Sequence, residues 1–111
     1  MERNGLPPEY DAARLRQLAD SDLARLEAGG RKYGDSWRKR GGGEAYHQLT
    51  RKWDRISLAV ERVPNQDMFE AIAQNPGSDG FDDGKDSLLD DIGDLRRYLY
   101  LTEAYYRSQR S

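Results

Sequence analysis

The chain has 111 residues, of which 36% are hydrophobic, 10% aromatic and 34% charged, and 18 basic against 20 acidic groups leave a formal net charge of −2. That length suits one domain, and from the near-balance of charge no bulk binding to nucleic acid or to an anionic membrane is expected. The absence of cysteine excludes disulfides, thiolate metal sites and a cysteine nucleophile.

Residues 1–7 read as a polar arm, and Pro7-Pro8 suits a helix entrance, where a missing N–H costs nothing. Leu15, Leu18, Ala19, Leu23 and Leu26 then recur at helical steps, predicting an amphipathic helix that stops at Gly29-Gly30. The stretch RKYGDSWRKRGGG, residues 31–43, fits neither a helical nor a strand period and reads as a loop. A second helix is expected from Glu44, with Leu49, Trp53, Ile56, Val60 and Val63 facing inward, ending at Pro64.

Residues 65–75 predict a short helix capped by Asn65 or Asp67, with Met68, Phe69 and Ile72 turned inward. The Gly/Pro/Asp-rich residues 75–85 read as a flexible loop. Asp86 or Ser87 caps a long last helix whose inward stripe is Leu88, Ile92, Leu95, Leu99, Thr102 and Tyr106. With no strand-like alternation, the expected fold is an all-α bundle of three long helices and one short one, forming a single domain.

The mean hydropathy of −1.02 is low for a chain of 12.7 kDa, which can bury only a modest core. Two Trp, seven Tyr and two Phe argue against wholesale disorder. The near-apolar run RYLYLTEAYY in the last helix points to burial on several sides, so a homo-oligomer is expected. No apolar run approaches the roughly 18 residues of a membrane span, and the start MERNGLPPEY lacks an apolar signal core. Cytoplasmic location and no membrane partner are the corresponding expectations.

Two charged groups could carry chemistry. Asp90, Asp91 and Asp94 share one side of the last helix at three- and four-residue steps, so their carboxylates repel unless a cation offsets them. Mg²⁺ would do so. Acids in a first helical turn also suit the macrodipole, and Arg96 and Arg97 are close enough in sequence to pair with them. The basic set comprises Lys32, Arg38, Lys39 and Arg40 in the glycine-rich stretch and Arg51, Lys52 and Arg55 on the second helix. Such groups suit phosphate or a solvated surface, and Tyr33 and Trp37 beside them could stack on a base or anchor an interface. His47 is the only histidine and reads as an ordinary polar residue.

The segments KYGDSW (32–37), RKWDRI (51–56) and DDIGDLRRYLYL (90–101) resemble the MazG-like all-α nucleotide pyrophosphohydrolases, nearest the nucleotide-modification-associated branch found beside phage genes. The likeness spans roughly residues 28–106 and rests on motif order and spacing. It implies a helical bundle binding a nucleotide at a subunit interface, with Mg²⁺ held by acids from two helices. On that resemblance Asp91 and Asp94 hold metal, with Asp54 joining them as the catalytic acids. Lys32, Tyr33, Trp37, Arg51, Lys52, Arg55 and Arg97 bind the nucleotide. The group's second acidic motif, Glu-x-x-Asp, is echoed by Asp91 and Asp94. Its first, Glu-Glu-x-x-Glu, is met by Arg51, Lys52 and Asp54, one carboxylate beside two cations. Three readings follow: a Mg²⁺-dependent hydrolase, a binder that sequesters or senses a nucleotide, and a helical oligomerisation protein without a ligand.

Overall fold

The computed structural model describes residues 7–8, 11–29, 41–75 and 87–110. Four α-helices account for most of them: α1 (Ala12–Ala28), α2 (Gly41–Glu61), α3 (Met68–Gln74) and α4 (Leu88–Arg110), with a 3-10 turn over Pro64–Gln66. No strand occurs among the described residues. The all-α expectation, three long helices and a short one, is what the described residues contain.

Local chemistry sets the helix ends. Asp11 caps α1, its carboxylate accepting from the Arg14 N–H at 3.0 Å, and the Gly29 N–H closes the far end on the Arg25 carbonyl at 2.9 Å. Asp67, not Asn65, caps α3, accepting from the amides of Phe69 and Glu70 at 2.9 and 3.2 Å. Asn65 instead turns the chain with φ 60°, a left-handed conformation that Asn tolerates. Ser87 caps α4 by accepting from the Asp90 N–H at 3.0 Å. The Leu88 N–H also donates to the Asn75 carbonyl at 3.2 Å, pinning the end of α3 to the start of α4.

The α2–α4 pair is the body of the fold. Its direction is antiparallel, since Lys52 meets Asp94 while Arg55 meets Asp91. Ile56, Val63, Ala71 and Leu88 form the buried core, with Val60, Met68, Ile72, Ile92 and Leu95 packed around it. The core therefore lies at one end of the hairpin, beneath α3.

Several expectations need correction. Helix α2 begins at Gly41, not at Glu44, so three residues assigned to the loop are helical. Glycine weakens a helix by about 1 kcal/mol per residue but does not forbid one, and only Gly41, at φ +79°, needs a backbone that glycine alone adopts easily. Phe69 is 81% exposed, because α3 turns Met68, Ala71 and Ile72 inward and Phe69 lies about 100° round the helix from Met68. On α1 the apolar stripe stays largely uncovered: Leu15, Leu18, Ala19 and Leu23 are exposed and Leu26 half-buried. Trp53, Leu99 and Tyr106, expected inward, are also exposed. The arm at 1–6, residues 30–40 and residues 76–86 lie outside the described residues.

Two substitutions check this packing. Ile56→Ala removes a side chain that is 2% exposed at the centre of the core, and is expected to cost about 2–5 kcal/mol in urea unfolding. Gly43→Ala should raise the unfolding free energy in the same titration by up to about 1 kcal/mol, because a Cβ at Gly43 meets nothing within 4 Å.

Candidate functional site

Lys52, Arg55 and Arg62 lie three and seven residues apart on α2, which places them along one flank of that helix. Opposite them α4 presents Asp91, Asp94 and Arg97, again at three-residue steps. The two sets meet as rungs: Lys52 Nζ lies 2.9 Å from Asp94 Oδ2, and Arg55 Nε 2.7 Å from Asp91 Oδ1.

Behind the rungs runs a buried chain of charge. Arg97, 4% exposed, donates from Nη2 to Asp94 Oδ1 at 2.9 Å and from Nη1 to Asp22 Oδ1 at 3.0 Å. Asp22, 1% exposed, comes from α1 and also accepts from Arg96 Nη2 at 2.9 Å. Asp22, Arg97, Asp94 and Lys52 thus alternate in sign without a break and join α1, α4 and α2. Burying charge this deeply is tolerable only because each group meets its opposite.

Gly93 makes the geometry possible. A Cβ there would stand 3.0 Å from Arg97 Nη1 and 3.3 Å from Nη2. The guanidinium lies over the bare Cα of the residue one turn earlier, in the space a side chain would fill.

Beside the Arg55–Asp91 rung opens a cleft of about 190 Å³, bordered by Arg55, Leu58, Arg62, Asn75, Ser87 and Asp91. Arg62 is exposed and forms no ion pair among the described residues. Among the described residues the cleft is lined by two guanidiniums and one carboxylate, a composition that suits a phosphate or carboxylate.

The donor set does not suit Mg²⁺. Asp94 is engaged by Lys52 and Arg97, and Asp91 by Arg55, so an ion would have to displace cations already in contact. No group of three or more His, Cys, Asp or Glu converges among the described residues. Of the two open explanations for the acids, pairing with the chain's own cations is what the geometry contains for Asp94. It involves Arg97 as the sequence allowed, and Lys52 as well.

The structure brings together Lys52, Arg55, Asp91, Asp94 and Arg97 of the residues expected at a site. Arg97 lies inside the fold rather than at a surface, so it positions Asp94 and is not itself available to a ligand. Arg51 is exposed and donates to Gln48 Oε1 at 2.7 Å, away from the rungs. Asp54, the third of the expected catalytic acids, is exposed and makes no hydrogen bond or ion pair among the described residues. His47 is exposed, with its backbone carbonyl accepting from Thr50. Lys32, Tyr33 and Trp37 lie outside the described residues.

Asp22, Arg96 and Arg62 complete the arrangement but were not among the expected site residues. A signal existed for two of them: Asp22 falls within the spacing of the Leu15, Leu18 and Leu26 stripe, and Arg62 is two turns beyond Arg55 on the same flank. No family model, curated protein or solved structure matches the chain.

Replacing Asp22 by Ala should cost about 3–5 kcal/mol, because Arg97 would keep a buried charge with one partner removed. The exposed Arg107–Glu103 pair, with side chains 76% and 66% accessible, is the contrast. Glu103→Ala should shift stability by less than about 1 kcal/mol, and denaturant titration reads both. Gly93→Ala should lower the thermal midpoint even though alanine is the better helix former, since Arg97 is held on both sides and cannot move aside. An increase in midpoint would show that Arg97 is not held in place.

Proposed function

We propose that the chain binds a nucleotide through its phosphates and acts as a binder rather than as a hydrolase. The observation that carries the reading is the meeting of Lys52 and Arg55 with Asp94 and Asp91 beside a cleft that Arg62 also borders. In the MazG-like proteins that the sequence resembles, acids on two helices face one another and metal ions lie between them. Here the second helix contributes cations to the same meeting. If Lys52 and Arg55 stand at the positions facing Asp94 and Asp91, the Glu-Glu-x-x-Glu pattern maps onto Arg51, Lys52 and Arg55, with every charge inverted.

The chemical consequence is direct. Covalently attached cations neutralise the acids, so the arrangement needs no divalent ion to be stable. Arginine forks in the cleft hydrogen-bond phosphate oxygens, and exchange of Arg55 from Asp91 to a phosphate trades one anion for another at little electrostatic cost. Asp91 and Asp94 then hold the cations in place and do not activate water.

The test is a panel of nucleoside mono-, di- and triphosphates, with calorimetry for binding and chromatography for products, each in Mg²⁺ and in EDTA. Unaltered nucleotide should be retained with equal affinity in both. Arg62→Gln should weaken it roughly tenfold, the loss of about one charge-assisted hydrogen bond. Pyrophosphate released only in Mg²⁺ would replace this reading with that of the hydrolase. No retention of any nucleotide would sink both.

A further inference from the structure

Helix α1 is attached differently from the other three. Of its 17 residues only Asp22 is buried, and every residue from Ala13 to Asp20 is exposed. Ser21, Arg25 and Leu26, beside Asp22 on the helix surface, are half-buried. The apolar core draws its side chains from Ile56 onward and takes none from α1. Both caps of α1 are its own, since Asp11 accepts from the Arg14 N–H and the Gly29 N–H donates to the Arg25 carbonyl. Helix α3, by contrast, is tied at its last cap, Asn75, to the Leu88 N–H of α4. Among the described residues, release of α1 therefore gives up mainly the charged contact at Asp22. Water repays much of that contact, because the freed charges regain their hydration.

The contact itself has the form of an anion seat. Arg96 donates from Nε to Asp22 Oδ2 and from Nη2 to Oδ1, the two-pronged arrangement by which a guanidinium also holds phosphate. Arg97 Nη1 adds a third bond, to Oδ1 at 3.0 Å. Both arginines belong to α4, which Leu88, Ile92 and Leu95 anchor in the core. Arg97 is held further by Asp94 Oδ1 and lies over the bare Cα of Gly93. The two guanidiniums are thus positioned by α4 and not by the carboxylate they share.

We propose that α1 is a strap that opens from α4 while α2, α3 and α4 stay folded, and that the Arg96–Arg97 seat beneath it takes a phosphate group in place of Asp22. An element with so few buried apolar side chains belongs to the part of a fold that opens below the global unfolding free energy. In the closed chain Asp22 is an internal oxyanion that occupies the seat. A phosphate in solution binds only the open form and shifts the population towards it. The seat uses no residue that borders the cleft at Arg55 and Arg62, so it stands whether or not that cleft binds nucleotide.

The experiment is hydrogen exchange of the full chain, read peptide by peptide, in sodium phosphate and in sodium chloride of equal ionic strength. Amides of α1 are expected to exchange ahead of those of α2 and α4. Their exchange should also be faster in phosphate, by about twofold when its concentration equals its Kd for the open seat. Asp22→Asn should speed α1 exchange at least about tenfold, the loss of one charge-assisted hydrogen bond. Arg96 lies outside the core with its side chain 33% accessible, so Arg96→Gln remains informative if Asp22→Asn fails to fold. It should abolish the phosphate effect while α2 and α4 keep their protection, whereas Arg62→Gln should leave that effect in place. Amides of α1 as protected as those of α4 overturn the strap. Exchange of α1 that is equal in phosphate and chloride, or a phosphate effect that survives Arg96→Gln, overturns the seat.

Discussion

The polar link between α1, α4 and α2 passes through one guanidinium. Arg97 holds Asp22 of α1 with one nitrogen and Asp94 of its own helix with another, and Asp94 in turn holds Lys52 of α2. Three helices are thus joined by a line of alternating charge, while the apolar core joins only α2, α3 and α4. Helix α1 shows the consequence: its leucines are largely exposed, and its one buried side chain is a carboxylate. Its attachment is electrostatic first and hydrophobic second. Such an attachment is directional and fixes a single arrangement, but loses much if one member is removed.

The same line of charge determines what chemistry the acids can do. Asp91 and Asp94 would make an open carboxylate pair on an isolated helix, and like charges at that spacing repel. In the folded chain the second helix supplies the counter-charge. This sets Arg55 and Arg62 at the edge of the cleft, with Asp91 held by Arg55. The two flanks of the hairpin therefore differ in kind: one carries the charged rungs, the other the exposed side chains of Trp53, Leu99 and Tyr106.

Much of the fold was legible because its signals are local. Caps at Ser87 and Asp67, the stop at Pro64 and the stripe from Leu88 to Leu95 each follow from short-range rules. The start of α2 was misread because three glycines look like a break, although helix beyond them can absorb their cost. Phe69 and Trp53 were assigned to the inside from hydrophobicity alone, which does not say whether a neighbour is long enough to cover them. At the site, the acids and cations were visible individually but their pairing was not, since Lys52 and Asp94 are 42 positions apart in the sequence. Asp22 was the hardest, because a carboxylate in an apolar stripe reads as an interruption until its arginine is known.

The spacing of the rungs has a further consequence, for register. Two antiparallel helices with apolar seams can slide by a turn and still bury leucine on leucine. Here a slide one way sets Lys52 against Arg97 in place of Asp94, cation against cation. A slide the other way leaves Lys52 an acid, Asp91, but strands Arg55 opposite Leu88. One displacement is repelled and the other loses a pair, so the hairpin has a single alignment written in charge, much as flanking charges select partners in coiled coils. Lys52 and Arg55 therefore tell α4 where to stop.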